Sequence, residues 1–234
     1  MFKIRNCVKK TLIIAAALFL TGLIFAQEEE VEAAEITESP KPFDFMMQFE
    51  PAFYLNNESY LVSAPSPIVY PVSIGLLLPN NYPIAFAPTV SFFMMNHLLY
   101  EGKALPAEIE NRTTTTLSFM LNLPALYSIM LEKSRFQINA GLGIFMRFGL
   151  LSPGVKEDDS GWLGTAAEDV EAINSWFWSD LHWLYASFGI SWLYNLTPQL
   201  RAGPTINAYI PVGGLISDGS AQAMIISAGI KICR

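Results

Sequence analysis

The chain predicts an all-β fold, an eight-stranded antiparallel transmembrane β-barrel with short periplasmic turns and longer outer loops. Three observations carry that prediction. Several segments alternate strictly with period two, which puts successive side chains on opposite faces of a strand. In each of them one face is bulky and apolar while the other is small and polar, the pattern of a strand with lipid outside and a polar lumen inside. Short and long connections also alternate along the chain, as they do in outer-membrane barrels.

Leu184–Val212 shows the pattern best. Its even positions include Phe188, Ile190, Trp192, Tyr194 and Leu196, then Leu200, Ile206, Ile210 and Val212. Its odd positions include Ser187, Gly189, Ser191, Arg201, Gly203, Thr205 and Asn207. Thr197, Pro198 and Gln199 form the turn between the two arms. Each arm is longer than the ordinary strand of roughly 5–6 residues.

The N-terminus reads as an export signal. Lys3, Arg5, Lys9 and Lys10 precede the apolar run Leu12–Phe25, and Ala26 precedes an acidic segment. That order of basic start, short apolar core and small residue is the layout of a secretory signal peptide over residues 1–26. Ala33 and Ala34 are alternative cut sites, and an uncleaved membrane anchor is the alternative reading of the core, although it is short for a span. Export makes the expected location the outer membrane of a Gram-negative-type bacterium.

Cys7 lies before the apolar core, so a cleaved chain keeps only Cys233 and can form no internal disulfide. Removing the signal's four basic residues from 14 leaves 10 against 21 acidic, a net charge of −11. An acidic exported chain has no basic surface for nucleic acid, which excludes that class. Residues 27–42, with Glu28, Glu29, Glu30, Glu32, Glu35 and Glu38, read as a solvated acidic periplasmic tail.

The barrel is expected over residues 43–234. Strand one, Phe43–Leu55, turns Phe45, Met47, Phe49 and Phe53 outward and Asp44, Gln48 and Glu50 inward. Strand two is Ile68–Leu78, and the turn Pro79–Pro83 leads into strand three at Ile84–Met94. Asn96–Arg112 is expected as a polar outer connection. Strand four, about Thr113–Leu131, is broken by Pro124, and the short turn Glu132–Arg135 leads into strand five, Phe136–Phe148. Leu150–Ser175 is the longest connection, in which Leu163–Trp176 is rich in helix formers. Gly213–Ser220 is expected as a polar loop before strand eight, Met224–Ile232.

Candidate lumen residues follow from inward parity: Asp44, Gln48, Glu50, Asn139, Arg147, Arg201, Asn207 and Lys231. Asp44, Arg201 and Lys231 are expected together at the periplasmic mouth. Glu50 sits nearer mid-barrel, where an ion needs water or a partner. The remaining inward positions are mostly Gly, Ser, Thr and Ala, which would leave a narrow passage. Trp176, Trp178, Trp183, Trp192 and Tyr194 fall near the two ends of strand six and are candidates for the lipid–water interfaces.

The rival fold is a soluble lipocalin-like barrel with its apolar face inward. It is disfavoured because the polar face has few Lys or Glu to make a water-soluble skin. Ser179, Asp180 and His182 could supply the nucleophile, orienter and base of a lipid-modifying enzyme, though residues this close in sequence rarely converge. A polar cluster at a loop end is the commoner explanation. Two histidines and one mature cysteine make no metal site, so no cofactor is expected.

Phe136–Phe145 (FQINAGLGIF), Leu123–Arg135 (LPALYSIMLEKSR) and Met224–Ile232 (MIISAGIKI) resemble strands of the OmpW family of small bacterial outer-membrane barrels. The chain departs from such barrels in ending on Cys233 and Arg234 rather than on an aromatic residue. The barrel is expected as a monomer in outer-membrane lipid, and the resemblance implies a narrow channel for small, largely hydrophobic solutes. The alternative is a non-conducting structural or surface-adhesion barrel.

Overall fold

A computed structural model describes residues 43–56, 66–78, 84–107, 113–217 and 219–234. The expected signal peptide, the acidic tail and the turn at 79–83 lie outside the described residues, as does most of the loop at 56–67.

Twelve strands make one closed antiparallel sheet, and they combine into eight staves. Stave one is β1 (Asp44–Phe49) with β2 (Ala52–Tyr54), and stave two is β3 (Ile68–Val69) with β4 (Val72–Leu77). Stave three is β5 (Ile84–Phe86) with β6 (Thr89–Tyr100). After the added strand β7 (Lys103–Ala107), staves four to eight are β8 (Thr114–Met130), β9 (Ser134–Leu151), β10 (Leu184–Asn195), β11 (Arg201–Pro211) and β12 (Ile225–Cys233). Two helices complete the described chain, α1 (Ala166–Trp178) and α2 (Val212–Ser217).

Closure comes from β12. It pairs with β11 on one side, and on the other with β1 (Met46 opposite Cys233) and then β2 (Tyr54 opposite Ile225). Both sets share one register, so stave one is continuous across Glu50 and Pro51. A closed sheet leaves no edge, the condition for a sheet to stand in hydrocarbon.

The facing follows the sequence pattern. Phe45, Met47, Phe49, Ile74, Met94, Leu142, Phe188, Ile190, Ile206 and Ile230 are exposed on the outer wall. Gln48, Glu50, Ser73, Ser91, Gln137, Ser187, Ser191, Thr205, Asn207 and Lys231 are buried inside. An apolar outside with a buried polar inside excludes the lipocalin-like arrangement.

Several boundaries differ from expectation. Asn96–Arg112 is not simply a polar loop. β6 runs on to Tyr100 and folds back as β7, with Tyr100 opposite Lys103. Glu101 (φ 48°) and Gly102 (φ 74°) both take positive φ, the requirement of a tight turn whose twist matches its strands. Leu99 and Ala104 then bury against Ile173 and Phe177 of α1, an apolar contact that holds this hairpin on the barrel rim.

Pro124 does not break β8. It lies opposite Ala87, whose N–H donates to the Pro124 carbonyl at 3.0 Å. The proline therefore forfeits one ladder bond and keeps its partner, and pairing with β9 is uninterrupted from Thr114 to Met130.

The helix expected at 163–176 is α1, shifted to Ala166–Trp178 by a capping box. Thr165 Oγ1 accepts from the Glu168 N–H (3.3 Å), and Glu168 accepts from the Thr165 N–H (3.0 Å). The expected loop at 213–220 contains α2, where Gly213 lets the chain pass close to the Leu181 carbonyl, 2.1 Å from where a Cβ would sit.

Candidate functional site

The two ends of the barrel differ. Tight turns join β8 to β9 and β10 to β11 at the end where Asp44 and Arg234 lie, here termed the turn end. The opposite, loop end carries the β6–β7 hairpin, α1 and α2.

Between these ends the interior is filled in layers. At the turn end Arg201 donates to Asp44 in an ion pair. Above it Met46, Leu77, Ala87, Leu126, Leu193 and Cys233 pack together. A polar layer follows. Asn207 Nδ2 donates to Glu50, Asn139 Nδ2 to Asn207 Oδ1 (3.4 Å), Ser187 Oγ to Asn122 (2.8 Å) and Lys231 Nζ to Gln137 Oε1 (2.9 Å). Glu50 thus has the partner that a buried carboxylate requires. Gln48 Nε2 reaches the Met46 sulfur at 3.8 Å. Towards the loop end Tyr54, Phe93, Met95, Met120, Phe145, Tyr185 and Ile225 form an aromatic layer across the lumen.

Asp44 and Arg201 come together at the turn-end mouth as expected. Lys231 does not join their ion pair; it is buried one layer further in, on Gln137. The expected light lumen is a correction of another kind. The small residues are there, but large side chains from other staves use the room they leave. A Cβ on Gly189 would lie 1.8 Å from Asn207 Oδ1 and 2.7 Å from Asn139 Nδ2. One cavity, between Gln48, Asn122, Asn139, Asn207 and Lys231, offers water centres about 20 Å³. That is room for one or two waters.

The loop end is closed by α1. Asn174 clasps the backbone of Gly149, accepting from its N–H (2.8 Å) and donating to its carbonyl (3.0 Å). Asp169 is buried and accepts from the N–H groups of Trp162 (2.8 Å) and Leu163 (3.0 Å) and from Thr113 Oγ1 (3.2 Å). These contacts fix the helix and the loop before it to the rim. Replacing Asn174 with Ala removes both ends of the clasp at a cost of about 1–3 kcal/mol. Amide exchange in α1 should then accelerate roughly tenfold or more, with β8 and β9 unchanged. Equal exchange in helix and strands would show that the clasp does not hold the lid.

Under the lid lies Arg147, 1% exposed. Its Nη1 donates to Tyr54 OH (3.1 Å) and its Nη2 to the His182 carbonyl (2.7 Å), tying staves one and five to the turn that precedes β10. Its guanidinium faces the rings of Phe177 (4.3 Å), Phe145 (4.7 Å) and Trp176 (5.5 Å). His97, expected in an outer connection, is buried in β6 with its ring 4.8 Å from Phe177.

The proposed interface aromatics separate. Trp192 and Tyr194 are exposed and stacked at the turn end, and Trp178 is exposed beside Phe148 at the loop end. Trp183 is half-buried, and its carbonyl accepts from the Phe145 N–H (2.7 Å). Trp176 does not join an outer girdle: it stacks on His182 at 4.0 Å and covers Arg147.

Ser179 and His182 approach at 3.4 Å without making a catalytic pair. His182 Nδ1 lies nearer the Trp176 carbonyl, at 2.9 Å, which fixes that nitrogen as a donor and unfits it to take a proton from Ser179. Ser179 itself donates to the same carbonyl (3.0 Å). Sequence reasoning missed Phe93, Met95, Met120, Phe145 and Phe177. The four strand residues share parity with the inward Ser91, Ser118 and Gly143, and that parity was the available signal.

A closed antiparallel barrel with a lipid-type exterior and a buried polar interior defines the class of transmembrane β-barrels. The fold is that of the small eight-stranded outer-membrane proteins. It matches the crystal structure of Neisserial surface protein A with a TM-score of 0.50 at 10% identity, over 84% of this chain and 98% of that one. Ail, the attachment invasion locus protein of Yersinia pestis, is matched with a TM-score of 0.44 at 5% identity, over 82% of this chain and 95% of that one. No protein-family model and no curated protein sequence matches the chain.

Proposed function

We propose that the chain is a monomeric, non-conducting outer-membrane barrel whose loop end faces outward and carries its function as a structural or adhesive surface. The filled lumen supports this reading: two apolar layers bracket a hydrogen-bonded polar one, whose cavity has room for one or two waters. An eight-stranded barrel is just wide enough for side chains to fill it. The buried aromatic layer lies across the route that a passage for small hydrophobic solutes, as implied by the OmpW-like strands, would take. The reading assigns no catalytic role and no cofactor.

Planar bilayers test it. The refolded protein is expected to give no discrete conductance steps and no faster uptake of apolar solutes into liposomes. Reproducible steps, or accelerated uptake, would overturn the closed-barrel reading in favour of a channel. On gels the unheated protein should run as a compact monomer that shifts on boiling.

A further inference from the structure

Other inward ions of the polar layer and of the turn-end mouth have polar side-chain partners, Lys231 on Gln137 among them. Arg201 has Asp44, and Glu50 has Asn207. Arg147 is different, because among the described residues no carboxylate pairs with it and it rests on aromatic faces. A buried cation without a counter-charge is costly, and cation–π contact offsets only part of that cost.

Three polar atoms at this level are also without a hydrogen-bond partner: Arg147 Nε, Ser118 Oγ and His97 Nε2. All three residues are almost fully buried. Ser118 faces Arg147 directly across the β8–β9 ladder. His97 and Arg147 flank the same Phe177 ring, and Tyr54 touches both, its ring 6.0 Å from that of His97 and its hydroxyl on Arg147. His97 Nδ1 lies 2.8 Å from Thr116 Oγ1, and when that hydroxyl donates, the ring proton stands on Nε2 and makes it a donor. All three orphan groups can therefore donate, and beside them stands one unneutralised positive charge.

We propose that the cluster of unpartnered donors beneath α1 is a binding site for a small monovalent anion of halide size, held by Arg147 with Ser118 and His97 as further donors. Its charge supplies what Arg147 lacks, and its acceptor capacity satisfies the three donors. Phe177 and Trp176 lie against the Arg147 guanidinium and Phe177 against His97, which favours a bare ion over a larger organic anion. The site is independent of whether the barrel conducts.

Iodide is the probe, because Trp176 stands 5.5 Å from the Arg147 guanidinium and iodide quenches indole fluorescence on contact. In the refolded full chain, quenching should contain a saturable component of roughly one tryptophan in five, above the linear quenching of the exposed rings. Chloride should displace that component and gluconate at equal ionic strength should not. Arg147→Met should abolish it. Ser118→Ala, which leaves the lid contacts intact, should weaken it roughly tenfold, as loss of one hydrogen bond to a charge implies, and carries the test if the arginine variant fails to fold. Purely linear quenching in the wild type would overturn the proposal. So would displacement by gluconate, or an iodide affinity unchanged in Ser118→Ala.

Discussion

Leu142→Arg is expected to destabilise the barrel in lipid by about 2–4 kcal/mol, whereas Leu150→Arg near the loop end of the same strand should cost about 0–1 kcal/mol. Leu142 is the most exposed large residue of β9, at 61%, and lies midway along it between Leu123 of β8 and Ala186 of β10. In water such an exposed position would tolerate arginine within about 0.5 kcal/mol. In a membrane the guanidinium must either be dehydrated or drag water into the hydrocarbon, and the penalty falls towards the interface. Urea titrations of the two variants in phospholipid vesicles measure the difference. Equal, small effects at Leu142 and Leu150 would mean that the apolar wall does not face lipid.

That wall was legible because period two needs no tertiary knowledge. Phe45, Met47 and Phe49 alternate with Met46, Gln48 and Glu50, and a one-residue error would have put charges on the apolar face. The tight turns were legible for a similar reason, since Pro198 and Glu132–Lys133 interrupt the alternation locally. Strand ends were harder to read. The sequence around Glu101 and Gly102 looks like polar loop, yet two positive-φ residues suffice to turn β6 back as β7, and the packing of Leu99 and Ala104 on Ile173 and Phe177 holds it there. Pro124 misled in the opposite direction. Its missing N–H faces Ala87 in a pair that keeps its other bond, a fact of register that composition does not carry.

The lumen was read residue by residue, although filling is a property of pairs of staves. Asp44, Gln48, Glu50, Asn139, Arg147, Arg201, Asn207 and Lys231 all follow from parity. Which of them meet depends on stagger between staves, and this puts Lys231 on Gln137 rather than beside Asp44. Gly189 looked like open space from its own strand and is instead the notch that receives Asn207. The lid was the least legible part. Phe177 and Trp176 fall on a helix in a long connection, and nothing local says that they cover His97 and Arg147.

Gly229→Ala should prevent the chain from reaching its compact, heat-modifiable form. Gly229 stands on β12 opposite Glu50 at the seam where the sheet closes on itself, and opposite Thr205 on its other side. A Cβ there would lie 1.9 Å from the Phe49 carbonyl oxygen and 2.7 Å from Glu50 Cα. Both are backbone atoms, so no side chain can rotate away and the strands themselves must separate. Nearby bonds at risk include the Ala228 N–H to the Pro51 carbonyl (3.1 Å) and the β1–β12 ladder from Met46 to Phe49. In hydrocarbon each opened backbone group costs several kcal/mol, because no water replaces the lost partner. Loss of a few such bonds matches the whole stability of an ordinary domain, about 5–15 kcal/mol. Ser227→Ala on the same strand is the control, since it deletes only a 3.4 Å bond from Ser227 Oγ to the Asn207 carbonyl. Refolding both into detergent micelles and comparing unheated with boiled gel mobility reads the outcome. A Gly229→Ala protein that folds as well as Ser227→Ala would show that this seam is not where the barrel closes.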